Sequence, residues 1–249
     1  MELTATTMDQ TAGLLGRRGS LRVRLAQTVG DVEAAQRLRA HVFGREEDAD
    51  AFDPCCHHVL VETETGEVVA TYRLLPPAGG ASYVATEFDV AALYARHPAL
   101  RFLELGRSCV APAWRTRRVM ELLWHGAWAY VVREGYDVML GCASLPGTVP
   151  DAALLAFLYA AARAPDGWRV AALPGHGVPM GGDPLPPREA LRRLPPLVKG
   201  YLRLGAHVGE EAVVDPDFGT TDVLIVLRRE AIAPRYLDHF GREADRYAV

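Results

Sequence analysis

The chain has 249 residues, of which 49% are hydrophobic and 23% charged, and its formal net charge is −4. That is enough apolar sequence for one large domain with a substantial core, and so small a charge gives no basis for nucleic-acid binding. No apolar run reaches membrane-spanning length, and the four cysteines, Cys55, Cys56, Cys109 and Cys142, lack the spacing of a disulfide framework.

Residues 1–20 mix Thr, Gly, Arg17 and Arg18 without an apolar h-region, so a disordered tail is expected there rather than a signal peptide. Leu21 to Ala26 alternates apolar and basic residues, which predicts a strand with one wet face. Asp31 is expected to cap a helix whose apolar face is Val32, Ala35, Leu38, Val42 and Phe43; Gln36, Arg39 and Arg45 then fall on other faces. The acidic, aperiodic run Glu46 to Pro54 is a loop. Cys55-Cys56-His57-His58 carries metal-ligand atoms, but neighbours on an extended segment point to opposite faces, so no metal site is expected. His58 to Glu62 and Val68 to Leu75 are strands joined by a hairpin turn at Glu64-Thr65-Gly66-Glu67.

Thr86 to Ala95 predicts a short helix. Arg101 to Val110 reads as a buried strand through Phe102, Leu103, Leu105, Cys109 and Val110, with Glu104 and Arg107 as polar guests. Charges are seldom buried unless paired or used, so the two are either a structural ion pair or part of a site. Gly106 between them marks a β-bulge, which would free backbone N–H groups. From Thr116 to Gly135, Val119, Leu122, Leu123, Trp124, Ala127, Trp128, Val131 and Val132 recur at helical spacing. Arg115, Arg117 and Arg118 stand at the start of this helix, where they oppose its macrodipole; the readings are an anion site, such as one for phosphate, or a solvated basic face.

Tyr136 to Cys142 is another strand, with Ser144 just beyond its end, and Pro150 to Ala164 is an apolar helix that should be buried. Pro and Gly crowd a loop from Pro174 to Pro196, interrupted by a short basic helix at Arg188 to Leu194. Leu197 to Leu204 is a helix stopped by Gly205, and strands Val208 to Val214 and Asp222 to Leu227 close the sheet. This order predicts an α/β fold, a mixed central sheet with helices on both faces, in one domain over residues 21–229 followed by a C-terminal extension over residues 230–249.

Leu38-Arg39-Ala-His-Val42-Phe43, Asp50-Ala-Phe-Asp53, His57-His58-Val-Leu-Val, Thr71-Tyr-Arg73-Leu-Leu-Pro and above all Glu104-Leu-Gly-Arg-Ser-Cys-Val110 together resemble the acyl-transfer branch of the GNAT superfamily, over about Leu21 to Leu227. Leu122-Leu-Trp124, Gly141-Cys-Ala-Ser144 and Lys199-Gly-Tyr-Leu-Arg-Leu-Gly205 resemble the L-ornithine N-acyltransferases of ornithine-lipid synthesis more than the related acyl-homoserine-lactone synthases. The resemblance implies a GNAT-like fold, no permanently bound cofactor, and two substrates. The donor is a 3-hydroxyacyl thioester on the phosphopantetheine of acyl carrier protein, with acyl-CoA as the alternative. The acceptor is the α-amine of ornithine or a similar amino acid. A cytoplasmic location is the default expectation from the cysteine usage, with peripheral membrane contact where a lipid product leaves. Where such families carry a glycine-bearing phosphate loop, this chain has Arg115-Thr-Arg117-Arg118-Val119, which suits the acidic surface of a carrier protein better than coenzyme A.

Within that resemblance, Glu104 is expected to accept the amine proton and Ser144 or Tyr159 to protonate the leaving thiolate. Backbone around Ser108, Cys109 and Val110 would polarise the thioester carbonyl, and Arg115, Arg117 and Arg118 would receive the donor. Arg39 and Arg73 offer forked donors to the acceptor's carboxylate, Asp50 and Asp53 a counter-charge to its side-chain ammonium, and Phe43 a wall of the same site. Arg107 would pair with Asp50 or Asp53 and lock the acidic loop over the site; ordinary salt bridges are the alternative for all these charges. Trp114, Trp124, Trp128 and Phe157 line an acyl tunnel or simply the core. The competing functions are a lactone or other N-acyl amino acid synthase, a coenzyme A-dependent N-acetyltransferase, and an inactive GNAT-like module that binds carrier protein or lipid.

Overall fold

A computed structural model describes residues 13–77 and 82–233 of the chain. Its strands are β1 (Leu14–Arg18), β2 (Leu21–Leu25), β3 (His57–Glu62), β4 (Val68–Leu75), β5 (Phe102–Val110), β6 (Val138–Pro146), β7 (Gly177–Pro179), β8 (His207–Asp215) and β9 (Thr220–Arg228). The helices are α1 (Val29–Phe43), α2 (Val90–Arg96), α3 (Arg117–Glu134), α4 (Ala152–Ala162), α5 (Pro187–Arg193) and α6 (Pro196–Leu204). The strands form one sheet in the order β1-β2-β3-β4-β5-β6-β9-β8-β7, antiparallel throughout except for β5 beside β6.

Period-two alternation divides the core between the two faces of this sheet. Leu103, Met139, Val223 and Ile225 pack on one face with α3, α4, α5 and α6. Phe102, Val138, Leu140, Leu224 and Val226 pack on the other with α2. The expected mixed sheet with helices on both faces is therefore the fold.

Several local expectations shift. Leu14–Arg18, read as part of a tail, is a strand paired with β2; residues 1–12, like residues 234–249 of the C-terminal extension, lie outside the described residues. Its five residues gain their order from across the fold: Leu15 is buried, and its carbonyl accepts a hydrogen bond from His125 of α3 at 3.0 Å. Helix α1 starts earlier than expected, because Thr28 is its N-cap and Asp31 the third helical residue. They form a capping box in which each side chain bonds the other's backbone N–H, both at 3.1 Å. Arg39, expected off the buried face, is wholly buried on it. Strand β6 runs through Ser144 to Pro146, and β7 adds an edge inside the expected loop. Gly205 does end α6, in the left-handed conformation at φ 87°.

The feature that positions the site is a fork in the sheet. Strands β5 and β6 pair only at Phe102↔Val138, Leu103↔Met139 and Glu104↔Leu140. Beyond Glu104 they part, while β6 stays paired with β9 to Pro146. On the other side of β5, Gly106 stays in register opposite Arg73, and the bulge falls one residue later than expected: Arg107 and Ser108 both lie opposite Tyr72. Arg107 takes the left-handed conformation at φ 53°, uncommon for a side-chain-bearing residue. At the crotch of the fork, a Cβ on Gly141 would stand 2.2 Å from the carbonyl oxygen of Leu105. Gly141→Ala should therefore force the strands apart and destabilise the protein by ~1–3 kcal/mol, the range for overpacking, read as a lower urea midpoint.

Candidate active site

The fork opens a cavity of about 220 Å³ that passes through the sheet. Tyr83, Val84, Glu104, Cys142 and Asp222 line it on the α2 face, and Tyr72, Leu105, Val198 and Tyr201 on the α3–α6 face. Among the residues expected at a site, Phe43, Arg73, Glu104, Arg107, Ser108 and Ser144 meet here. The edge of β5 beyond Glu104 faces this space without a strand partner on that side.

Glu104 is 3% exposed. Its Oε2 accepts a hydrogen bond from Ser82 Oγ at 2.7 Å, and its Oε1 accepts from the backbone N–H groups of Tyr83 at 3.1 Å and Val84 at 3.3 Å. The carboxylate thus holds the 82–84 turn against the fork. Burial raises its pKa above the ordinary range, against the pull of those hydrogen bonds and of the Arg73 charge.

Arg39, Asp50 and Asp53 do not line the cavity; they form an ionic network behind it. Arg39, 0% exposed, grips Asp53 with a two-pronged fork at 3.0 and 2.7 Å and bonds Asp48 through Nε at 2.9 Å. Its remaining contact is the Asp48 carbonyl, so its donors are turned to the protein rather than to a ligand. Arg73 bonds Asp50 at 2.6 Å and Asp53 at 3.2 Å. Arg107 reaches Asp48 at 3.3 Å and Asp50 at 3.5 Å, with its guanidinium carbon 4.7 Å from the Tyr83 ring centre and 4.4 Å from that of Phe218. Burial opposes the charge of Asp53, yet hydrogen bonds from Arg39 and Gln36 hold its carboxyl well below the usual range. Of the two partners expected for Arg107, the structure pairs it with Asp50 and not with Asp53, and adds Asp48.

The remaining expected residues stand apart. Cys109 is buried without lining the cavity, and burial pushes its thiol up to about 12. Val110 packs on the core, and Arg115, Arg117 and Arg118 are exposed around the start of α3, where Arg117 pairs with Glu121 at 2.6 Å. Tyr159 lies outside the cavity and donates to Glu210 at 2.9 Å. Trp124 and Trp128, with Tyr72, Leu105 and Met139, line an apolar pocket that adjoins the cavity through Tyr72 and Leu105. At about 20 Å³ it holds little more than one water-sized group, so an acyl chain would have to displace its walls. Trp114 and Phe157 pack against the core and line neither space.

Sequence reasoning missed three carboxyls on the cavity's α2 side. Asp222 on β9 and Asp215 at the end of β8 line it, and Glu87 adjoins them, accepting a hydrogen bond from Cys142 Sγ at 3.2 Å. Burial, reinforced by the charges of Asp222 and Asp215, pushes the Glu87 carboxyl up to about 7. The signal was available: Asp222 opens an apolar strand, the same anomaly that drew attention to Glu104. Also missed were Tyr72 and Tyr201, whose buried hydroxyls bond each other where the cavity meets the apolar pocket. The network behind the cavity makes its own prediction: Arg39→Ala takes the two-pronged partner from Asp53 and one of two arginines from Asp48, and should cost ~3–5 kcal/mol in denaturant unfolding, the range for breaking a buried ion pair.

Residues 32–125 match the family profile described as an acetyltransferase (GNAT) domain. An L-ornithine N(alpha)-acyltransferase of Agrobacterium fabrum is 46% identical over 268 aligned positions, covering 96% of this chain and 92% of that one. Among solved structures, an N-acyl amino acid synthase from uncultured soil microbes superposes with a TM-score of 0.52 at 10% identity, covering 84% of this chain and 90% of that chain. A CoA-dependent acyl-homoserine lactone synthase superposes with a TM-score of 0.50 at 15% identity, covering 88% and 95%. At such identities the two structures speak to the fold alone, which is GNAT-like. By its similarity to the curated relative over nearly its whole length, the chain belongs to the family of L-ornithine N(alpha)-acyltransferases, and it is an acyltransferase.

Proposed function

We propose that this enzyme moves a 3-hydroxyacyl group from the phosphopantetheine thioester of acyl carrier protein to the α-amine of L-ornithine, giving a lyso-ornithine lipid. The observation that carries this reading is the cavity through the fork, which offers a buried carboxylate and a guanidinium on one face of the sheet and an apolar pocket on the other. The relative's name supplies the acceptor, ornithine.

In the reaction, the unprotonated α-nitrogen attacks the thioester carbonyl, a C–N bond forms, the C–S bond breaks, and the nitrogen loses one proton. Glu104 takes that proton, directly or through one water, on the lone pairs left by its hydrogen bonds to the 82–84 turn. The unpaired edge of β5 around Ser108 donates to the developing oxyanion. The proton taken by Glu104 ends on the leaving thiolate, relayed by Ser144 on the cavity wall, so that Glu104 and Ser144 both return to their starting states. Arg107 and Arg73, which line the cavity, rather than Arg39, which does not, face the acceptor's carboxylate. An α-amine near pKa ~8 loses its proton at a cost roughly 3 kcal/mol lower than a side-chain amine near ~10.4, which favours Nα acylation. Most of the acceleration comes from holding the two substrates in line across the sheet.

The arginines around the α3 entry suit an acidic carrier protein. Arg115 and Arg118 are exposed, and neither has an ion-pair partner among the described residues. No helix of the described residues is long and apolar enough to cross a membrane.

Two measurements test this reading. The pH profile of kcat/KM should have an acid limb set by a carboxyl displaced upward from ~4.3, with activity rising as Glu104 ionises. Glu104→Gln should remove that limb and lower kcat by ~10²–10⁴-fold, the range for losing a general base, while thermal melting checks that the fold is kept. Separately, Arg115→Glu with Arg118→Glu should raise KM for the carrier-bound donor by about tenfold relative to KM for the same acyl group on coenzyme A. Equal effects on both donors would remove carrier docking from these residues.

A further inference from the structure

Of the aspartates gathered around the fork, those expected to meet the acceptor's ammonium are already neutralised. Asp50 and Asp53, like the neighbouring Asp48, are bound by Arg39, Arg73 and Arg107. The opposite wall is different. Asp222 is 4% exposed and Asp215 8%, both line the cavity, and among the described residues neither lies within ion-pairing distance of a lysine, arginine or histidine. Glu87 adjoins them, equally without an ion pair.

Nor is the wall saturated by hydrogen bonds. Oδ1 of Asp222 accepts from Thr220 Oγ1 at 2.8 Å, and the Ser144 hydroxyl also donates to this carboxylate, which leaves it with hydrogen bonds from neutral groups only. Oδ1 of Asp215 accepts from the backbone N–H groups of Asp217 at 2.9 Å and Phe218 at 3.0 Å, while its Oδ2 receives no hydrogen bond from any described residue. Buried carboxylates without a cation cost several kcal/mol each, and an ammonium, with three donors and one positive charge, offsets that cost.

We infer that Asp222, with Asp215 beside it, determines acceptor specificity: the two hold the side-chain ammonium of a basic amino acid while its α-amine faces the thioester. The inference rests on the reading of the cavity as an amino-acid acceptor site, and it moves ammonium recognition from Asp50 and Asp53 to the ends of β8 and β9. The acceptor then lies across the mouth of the fork, carboxylate toward Arg107 and ammonium toward Asp222, with its α-nitrogen between them near Glu104. An amino acid with a neutral side chain would leave the acidic wall unpaired, so selectivity is built from desolvation as much as from attraction.

The test compares kcat/KM for L-ornithine with that for L-norvaline, which has the same carbon chain and no side-chain amine, using one purified acyl donor. The wild-type enzyme should prefer ornithine, and Asp222→Asn should lower the ornithine-to-norvaline ratio by about 10- to 100-fold, the worth of one hydrogen bond to a charged group. Asp215→Asn should lower it in the same direction. A loss of folding or of general catalytic power affects both acceptors and cancels in the ratio. An unchanged ratio in both variants overturns the inference, as does a wild-type enzyme that acylates both acceptors equally; in either case the acyltransferase reading stands. If the wild-type enzyme acylates no amino acid, that reading fails and takes this inference with it. Ligand atoms of Glu87, Cys142 and Asp222 also lie within 4.8 Å of one another. Activity abolished by EDTA and restored by a divalent cation would put a metal there and overturn the assignment to ammonium.

Discussion

The two-pronged ion pair between Arg39 and Asp53 is the constraint from which the rest of the site follows. It joins helix α1 to the acidic loop with no solvent at either end, since Arg39 is 0% and Asp53 5% exposed. Asp53 extends it to Arg73 on β4, and Asp48 and Asp50 extend it to Arg107 on β5. Buried ion pairs contribute little net stability after desolvation, but once formed they tolerate few alternative arrangements. Here the arrangement they enforce is the position of Arg107 at the bulge.

That bulge and the fork beside it are two parts of one geometry. An extra residue on β5 re-aims the strand just where its pairing with β6 stops, so both edges of β5 are altered within a few residues. Gly141 lets the backbones stay close at the crotch, and the cavity begins immediately above it. Because the opening passes through the sheet, the two faces can serve different chemistry: charged groups on the α2 side, apolar walls and the Tyr72–Tyr201 pair on the α3–α6 side. An aminolysis that needs little covalent assistance gains most from such a rigid frame.

The electrostatics are asymmetric about the fork. Behind it the aspartates are matched by arginines, and the Asp53 carboxyl is held low. In front of it Glu104, Glu87 and Asp222 are all pushed up, chiefly by burial, which outweighs the pull of the Arg73 charge on Glu104 and of the Arg107 charge on Glu87 and Asp222. Carboxyls of the same type thus take opposite characters a short distance apart, one set paired with arginines and held low, the other bordering the cavity and pushed up.

Most elements were legible from periodicity and capping. The run from Val119 to Val132 fixed α3, Gly205 fixed the end of α6, and the polar guests Glu104 and Arg107 in an apolar strand pointed to the site. Short edges were not legible: β1 is ordered by burial of Leu15 and by His125, residues far apart in the chain. Nor was the division of labour among the acids. The order of residues along the chain was enough to place Glu104 and Arg107 inside a mixed α/β sheet, because the apolar neighbours of their strand leave them nowhere else to go. Which charges neutralise one another, and which face a cavity, was settled by the packing of elements, as the burial of Arg39 on α1 illustrates. Ion pairing depends on distances between elements remote in sequence, and those distances are set by the register of β4, the bulge in β5 and the parting of β5 from β6.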